Sequence, residues 1–209
     1  MEEAQMNWYA LKVFYNKVFE MEDRLADMGF ETYLAVEKVR LQGEEHLAAA
    51  RALARVPEGY RPDSRYIRRG PEILKRQPLV KSLLFVRADK NGILRISDML
   101  KGPADLGKPE GFVYRTPDWK GFSVIPERQM TMFMLVTSSG ESGLEFFSAD
   151  DFTHFREGQK VRVIEGPLKG AEGYIKRIRR NRRLLVSIEG VVAVATSYIP
   201  PQFLEKVME

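Results

Sequence analysis

The chain has 209 residues, 44% of them apolar, enough for a sizeable core in one or two domains. It contains no cysteine and only two histidines, His46 and His154. That excludes disulfides and thiolate metal sites, and it leaves almost no material for a histidine metal site or a Ser-His or Cys-His nucleophile. The net charge of +4 is unevenly placed: from Phe152 onward 11 Lys and Arg face 6 Asp and Glu, whereas residues 1–151 are close to neutral.

In chain order, Asn7–Phe14 alternates with apolar residues on both faces, which predicts a central strand. Asn16 stands where a helix N-cap is expected. Val18, Met21, Leu25 and Met28 then recur at helical spacing up to Gly29, a C-terminal stop. Phe30–Arg40 reads as extended. Gly43–Pro78 is an excursion, with an Ala-rich helix over Leu47–Val56 stopped by Pro57, Gly59 and Pro62. A basic loop studded with Arg61, Arg65, Arg68, Arg69, Lys75 and Arg76 follows. The loop reads either as a mobile or partly packed segment or as a nucleic-acid contact.

Leu79–Arg87 is the strongest strand of this half, and Asn91–Leu100 predicts a short helix with Ile93, Ile96 and Leu100 inward. Gly111–Arg115 is another strand and Thr116–Phe122 a loop. Pro126 opens a helix whose stripe is Met130, Phe133 and Met134. Thr137–Gly143, TSSGESG, reads as a linker, and Leu144–Thr153 as a loosely docked segment ahead of a second domain. The first half is therefore an α+β layer with a mostly antiparallel four-stranded sheet and flanking helices. The partition expected is a first domain over residues 1–136, a linker over 137–151 and a second domain over 152–209.

The second domain is dense with turn signals. Gln159–Ile164 alternates, with Val161 and Val163 on one side. Glu165-Gly166-Pro167 stops it, Lys169-Gly170 continues the turn, and Gly173 enters the strand Tyr174–Ile178. A Gly at that entry predicts a bulge or a close backbone approach. Arg179-Arg180-Asn181-Arg182 is a hairpin tip, and Leu184–Ile188 and Val191–Ser197 are two further strands. Short strands with turns between them predict a small closed or nearly closed barrel. Lys176, Arg177, Arg179, Arg180, Arg182 and Arg183 crowd one hairpin. They read equally as a nucleic-acid or acidic-protein contact and as a solvated tip.

The run from Val161 through Gly173, with GPLKG and the later Gly in register, resembles a KOW motif: Val161, Val163, Gly166, Pro167, Gly170 and Gly173 carry it. Such motifs form small SH3-like barrels. Four stretches of the first half, WYALKV, the helix from Asn16-Lys17 closing on MGFETYL, VKSLLFVR, and GFVYR followed by VIPERQM, resemble the NusG-type transcription elongation factors in their order. Ser82-Leu83, where that family usually has Gly-Tyr, resembles the specialised UpxY-like antiterminators of capsular polysaccharide operons in Bacteroides-type bacteria. Lys81 and the long Gly43–Gln77 excursion depart from that subgroup's pattern.

The resemblance implies a binding protein, not an enzyme, with no cofactor or metal. Its first domain would meet the clamp helices of RNA polymerase through an exposed apolar depression formed here by Lys12, Leu83, Phe85, Phe112 and Tyr114. Lys17, Arg87 and Lys90 would touch non-template DNA, and Arg179, Arg180, Arg182 and Arg183 DNA or nascent RNA. The barrel would recruit a ribosomal protein or termination factor, and the chain would act as a monomer. The opening residues are acidic and lack an apolar leader core, and no apolar run approaches about 18 residues, so a soluble cytoplasmic protein with no membrane contact is expected. A ribosome-associated or general RNA-binding KOW protein is the alternative. As for an enzyme, the carboxylate pairs Glu44-Glu45 and Asp150-Asp151 lie in polar stretches beside turns and read as solvated, and no phosphate loop is present.

Overall fold

The computed structural model describes residues 5–56, 62–102, 107–148, 158–178 and 181–207. Its first half runs β1 (Asn7–Val13), α1 (Val18–Asp27), β2 (Glu31–Tyr33), β3 (Val36–Arg40), α2 (Gly43–Ala54), β4 (Tyr66–Arg69), β5 (Glu72–Pro78), β6 (Leu83–Ala88), α3 (Lys90–Leu100), β7 (Gly111–Val113) and α4 (Glu127–Ser138). The remainder is β8 (Glu145–Ser148), β9 (Gln159–Val163), β10 (Glu172–Ile178), β11 (Asn181–Ile188), β12 (Val192–Tyr198) and β13 (Leu204–Lys206).

Because β1 is apolar on both sides, it takes a central place in an antiparallel four-stranded sheet of order β2-β6-β1-β7. Tyr9, Leu11 and Val13, with Leu84, Val86 and Ala88 of β6, point to one face. There they meet Val18, Met21 and Leu25 of α1 and Ile93, Ile96 and Leu100 of α3. The helix periodicity read from the sequence is the one that packs. Trp8 and Ala10 of β1 and Leu83 and Phe85 of β6 point to the other face, where α4 covers them with Met130, Phe133 and Val136. Burying each of these larger side chains contributes about 1.5–3 kcal/mol.

Asn16 is not a cap. Tyr15 and Asn16 hold left-handed backbone, φ 59° and 57°, in the turn leaving β1, and the helix starts after Lys17 with no side-chain cap. Asp89 does cap α3, its carboxylate accepting from the Gly92 N–H at 2.7 Å.

The excursion is built, not loose. Phe30–Arg40 breaks into β2 and β3, which belong to different sheets; β3, β5 and β4 form a separate three-stranded antiparallel sheet. Leu41, Ile73 and Ala49 of α2 make its small core, with Tyr66 and Leu53 at the margin. This sheet docks on α1. Arg76 reaches both Glu22 oxygens, at 2.8 and 2.9 Å, and lies 5.2 Å over the Phe19 ring, while the Ser64 hydroxyl donates to Asp23 at 2.8 Å.

The second half is a six-stranded antiparallel sheet of order β13-β9-β10-β11-β12-β8. Val161, Val163, Leu184, Val186, Ile188 and Val194 share its buried face. Part of the expected 137–151 linker belongs to regular elements. α4 continues through Thr137 and Ser138, and Thr137 is buried, accepting from the Tyr33 hydroxyl at 2.7 Å while donating to the Phe133 carbonyl. β8 is an edge strand of the second sheet, with Phe146 opposite Val194 and Phe147 opposite Ala193. The paired phenylalanines of EFFS need an apolar surface, and β12 supplies it.

α4 is apolar on more than one side. Its outer side meets the second sheet: Arg128 pairs with Glu172, the Glu172 N–H points at the Met132 sulfur at 3.3 Å, and the Glu189 N–H donates to Gln129 at 3.2 Å. Packing on two sides explains a helix with so weak a polar face.

Candidate partner-binding surfaces

The KOW-like turn folds as the spacing required. Gly166 adopts φ 85°, the region Pro167 could not take, and the N–H of Gly170 returns to the Val163 carbonyl at 2.8 Å. Leu168 drops into the core between them. At Gly173 a Cβ would lie 2.2 Å from the Leu185 carbonyl oxygen, so β10 and β11 approach closely there, as expected of the strand entry.

On the first domain, Lys12 is the register partner of both Leu83 and Phe112, and Ala10 of Phe85; the Tyr114 N–H donates to the Ala10 carbonyl at 3.0 Å. Cross-strand partners share a face, so the five residues expected in the depression are neighbours. They are not all open. Leu83 and Phe85 are buried, Phe85 to 1% exposure, because α4 lies across them. The expectation of an exposed Leu83 and Phe85 is therefore corrected: a strand apolar on both sides had its second cover within the chain. Phe112, at 47% exposure, stands beyond the reach of α4.

Around Phe112 the sheet end carries a run of rings that the sequence reading missed. Phe14 and Phe112 have centroids 5.9 Å apart, Phe112 and Tyr114 5.4 Å, and Phe14 and Tyr15 6.1 Å. Tyr15 is largely exposed. Beside it the Ser82 carbonyl accepts from the Val13 N–H at 2.8 Å, and Ser82 holds φ 63°. The left-handed residues Tyr15, Asn16 and Ser82 thus gather at one end of the sheet, a concentration of strained backbone common at binding surfaces. The signal for Phe14 and Tyr15 lay in the sequence FYN itself, two aromatics at a strand end where a soluble turn needs none.

The basic residues do not converge. Lys17 lies near this end, 3.9 Å from Glu110, which is held more closely by Arg24 at 2.9 Å. Arg87 and Lys90 are at the opposite end of β6 from Leu83, and Arg87 faces Glu31 and Glu127 at 3.4 and 3.8 Å. In the β10–β11 hairpin Lys176 is opposite Arg183 and Arg177 opposite Arg182. Arg177 and Arg182 are exposed; Arg183 is not, and pairs with Glu145 of β8 at 2.9 Å. Arg183 therefore ties the edge strand to the sheet, a correction to its placement with the surface cations. Arg179, Arg180 and the Asp150-Asp151 pair lie outside the described residues.

No helix among the described residues is long and apolar enough to cross a membrane, and no group of three potential metal ligands occurs among them. A cavity of about 780 Å³ lies between the inserted sheet and the end of α4, lined in part by Glu22, Lys38, Arg76, Tyr33 and Leu144. Burial raises the Tyr33 hydroxyl above its usual pKa, and the hydrogen bond with Thr137 opposes that shift.

No family model matches the chain, and no curated protein does. Among solved structures, one described as domain interaction in Thermotoga maritima NusG is similar over 98% of this chain and 98% of its own, at 15% identity and a TM-score of 0.40. At that level the likeness carries no weight for fold or function. What the structure defines by itself is an α+β domain followed by an all-β antiparallel region, with an aromatic surface open on the first.

Proposed function

We propose that the chain is a transcription elongation factor of the NusG type, whose first domain binds the clamp helices of RNA polymerase. The observation that carries this is the open aromatic end of the first sheet, where Lys12, Phe14, Phe112 and Tyr114 present rings and a cation on a rigid strand surface. Exposed aromatics of this kind serve as interface anchors. The reading is supported by the order of WYALKV, VKSLLFVR, GFVYR and the KOW-like turn in the sequence. Leu83 and Phe85 then act from beneath, fixing the strand on which the contact residues stand.

On this reading residues 1–136 are the polymerase-binding module and 152–209 the module that meets a ribosomal protein or termination factor, with 137–151 between them. By holding the polymerase in its closed form the protein would promote processive transcription in the cytoplasm. The resemblance of the Ser82-Leu83 pair to the antiterminators of capsular or exopolysaccharide operons supports a reading in that direction, from which Lys81 and the Gly43–Gln77 excursion depart. The test is capture of RNA polymerase by the full chain, with a run-through assay on a pause template. Phe112→Ala is expected to lose both capture and run-through while the fold persists. Unchanged capture by Phe112→Ala, or none by the wild type, would refute the reading. A ribosome-associated or RNA-binding protein is favoured by one feature, the exposed Arg177 and Arg182 of the barrel hairpin. It predicts RNA binding without polymerase capture.

A further inference from the structure

The inserted sheet adds no strand to the main sheet and has a core of only a few side chains. Its contribution is its surface, and that surface has segregated charge. Asp63 is held by Arg65 at 2.6 Å and Glu72 by Arg40 at 2.8 Å. Glu44 and Glu45 sit in the first turn of α2, where a helix N-terminus favours them. On the β4–β5 hairpin, Arg68, Arg69 and Lys75 have no carboxylate partner among the described residues; Arg68 gives one N–H to the Gly70 carbonyl at 3.4 Å.

The register spreads these cations over both sides of the hairpin, with Arg68 and Arg69 on its free edge and Lys75 on the strand beside it. Arg68 is opposite Ile73 and Lys75 opposite Tyr66, on the side of α2; Arg69 is opposite Glu72, on the other. β4 is the outermost strand of its sheet. Arg76, paired with Glu22 beneath, fixes the sheet on α1, so the edge is presented in one orientation.

We propose that the β4–β5 hairpin binds the phosphate backbone of a nucleic acid, with Arg68, Arg69 and Lys75 as its contacts. Each strand of a duplex offers one negative charge per roughly 3.4 Å, and planar guanidinium groups pair with phosphate through two N–H donors. An acidic protein is the poorer fit. Protein interfaces need buried apolar or aromatic anchors, and none of the large exposed apolar side chains belongs to β4 or β5. With no exposed ring for stacking either, the hairpin reads charge and not sequence.

The experiment uses the full chain carrying Arg177→Ala, Arg179→Ala, Arg180→Ala and Arg182→Ala, which strips the β10–β11 hairpin of most of its charge as a second anion site. Binding to a short fluorescein-labelled DNA duplex is followed by anisotropy from low to physiological salt. Adding Arg68→Ala, Arg69→Ala and Lys75→Ala is expected to weaken binding at least tenfold and to lower the salt slope by about 2–3, near 0.9 for each lost contact. Arg69→Gln alone, which places no like charge opposite Glu72, is expected to weaken binding more than Arg69→Lys. Unchanged affinity and slope in variants with unchanged melting would overturn the proposal. So would displacement of the duplex by poly-glutamate as readily as by unlabelled DNA. Polymerase capture by the same variants is expected to be intact, so failure here is distinct from failure of the polymerase reading.

Discussion

The rings of Phe85 and Phe133 meet edge to face, with centroids 5.3 Å apart and planes inclined at 60°. Phe85 comes from the strand paired with β1 and Phe133 from the middle of α4, so the pair joins the sheet to the helix that also carries the second domain's contacts. Both side chains are fully buried. Phe85→Ala is expected to lower stability by about 3–5 kcal/mol through lost transfer energy and a cavity. Phe112→Ala, on the same face but open, is expected to cost about 1 kcal/mol, mainly its ring contacts with Phe14 and Tyr114. Chemical denaturation of the two variants separates them, and equal losses would mean that Phe112 is also core.

Glu172 supplies a pH-dependent contact between the halves. Arg162 donates to one of its oxygens at 2.7 and 2.9 Å, and Arg128 of α4 pairs with the other. These hydrogen bonds, Arg162's first, hold its carboxyl below the usual value of 4.5. A depressed carboxylate stabilises the fold above its unfolded pKa, and that stability is lost as pH falls through the folded value. Melting temperature is therefore expected to drop below about pH 4.5 more steeply in the wild type than in Glu172→Gln. Parallel profiles for the two proteins would rule out this contact as a source of acid sensitivity.

Much of this was legible because local pattern and tertiary demand agree. Val18, Met21 and Leu25 sit at helical spacing and pack as that spacing requires; Val161 and Val163 alternate and are buried as a strand face. The inserted sheet was not legible. Its inner face rests on Leu41, Ile73 and Tyr66, too few apolar residues to stand out among Arg68, Arg69, Lys75 and Arg76. Asn16 has the chemistry of a cap and of a left-handed turn, and the turn won: the short connection between Val13 of β1 and Val18 of α1 reverses through Tyr15 and Asn16. For Leu83 and Phe85 the sequence showed a strand apolar on both sides, but not whether helix or partner covers the second. That depended on α4, whose Met-rich stripe serves two neighbours at once.

Gly173 is a place where sequence and geometry reduce to one distance. A methyl group there meets a backbone carbonyl, which cannot turn aside as a flexible side chain would. Gly173→Ala is expected to separate β10 from β11 and to lower stability by about 1–3 kcal/mol, as overpacking does. Thermal melting should show the loss, with amide exchange rising first at Tyr174 and Leu185, which are register partners. An alanine tolerated without change would mean that the strands relax apart at no cost.

The docking of the inserted sheet depends on Arg76. Its guanidinium satisfies both Glu22 oxygens, donates to the Ser64 carbonyl at 3.0 Å and covers the Phe19 ring. Both charged side chains are mostly buried, at 16% and 13% exposure. Arg76→Met leaves Glu22 desolvated without a partner, and breaking such a pair from one side costs about 3 kcal/mol or more. Replacing both, Arg76→Met with Glu22→Leu, removes the orphaned charge and is expected to recover most of the loss, because apolar pairs of similar volume substitute well for buried ion pairs. Global stability by denaturation gives the double-mutant cycle. Amide exchange over β3 and β5 tells whether the sheet has come away from α1 or the whole domain has weakened. Additive losses in the cycle, with exchange unchanged in β5, would show that the insert is held by its own core and not by this pair.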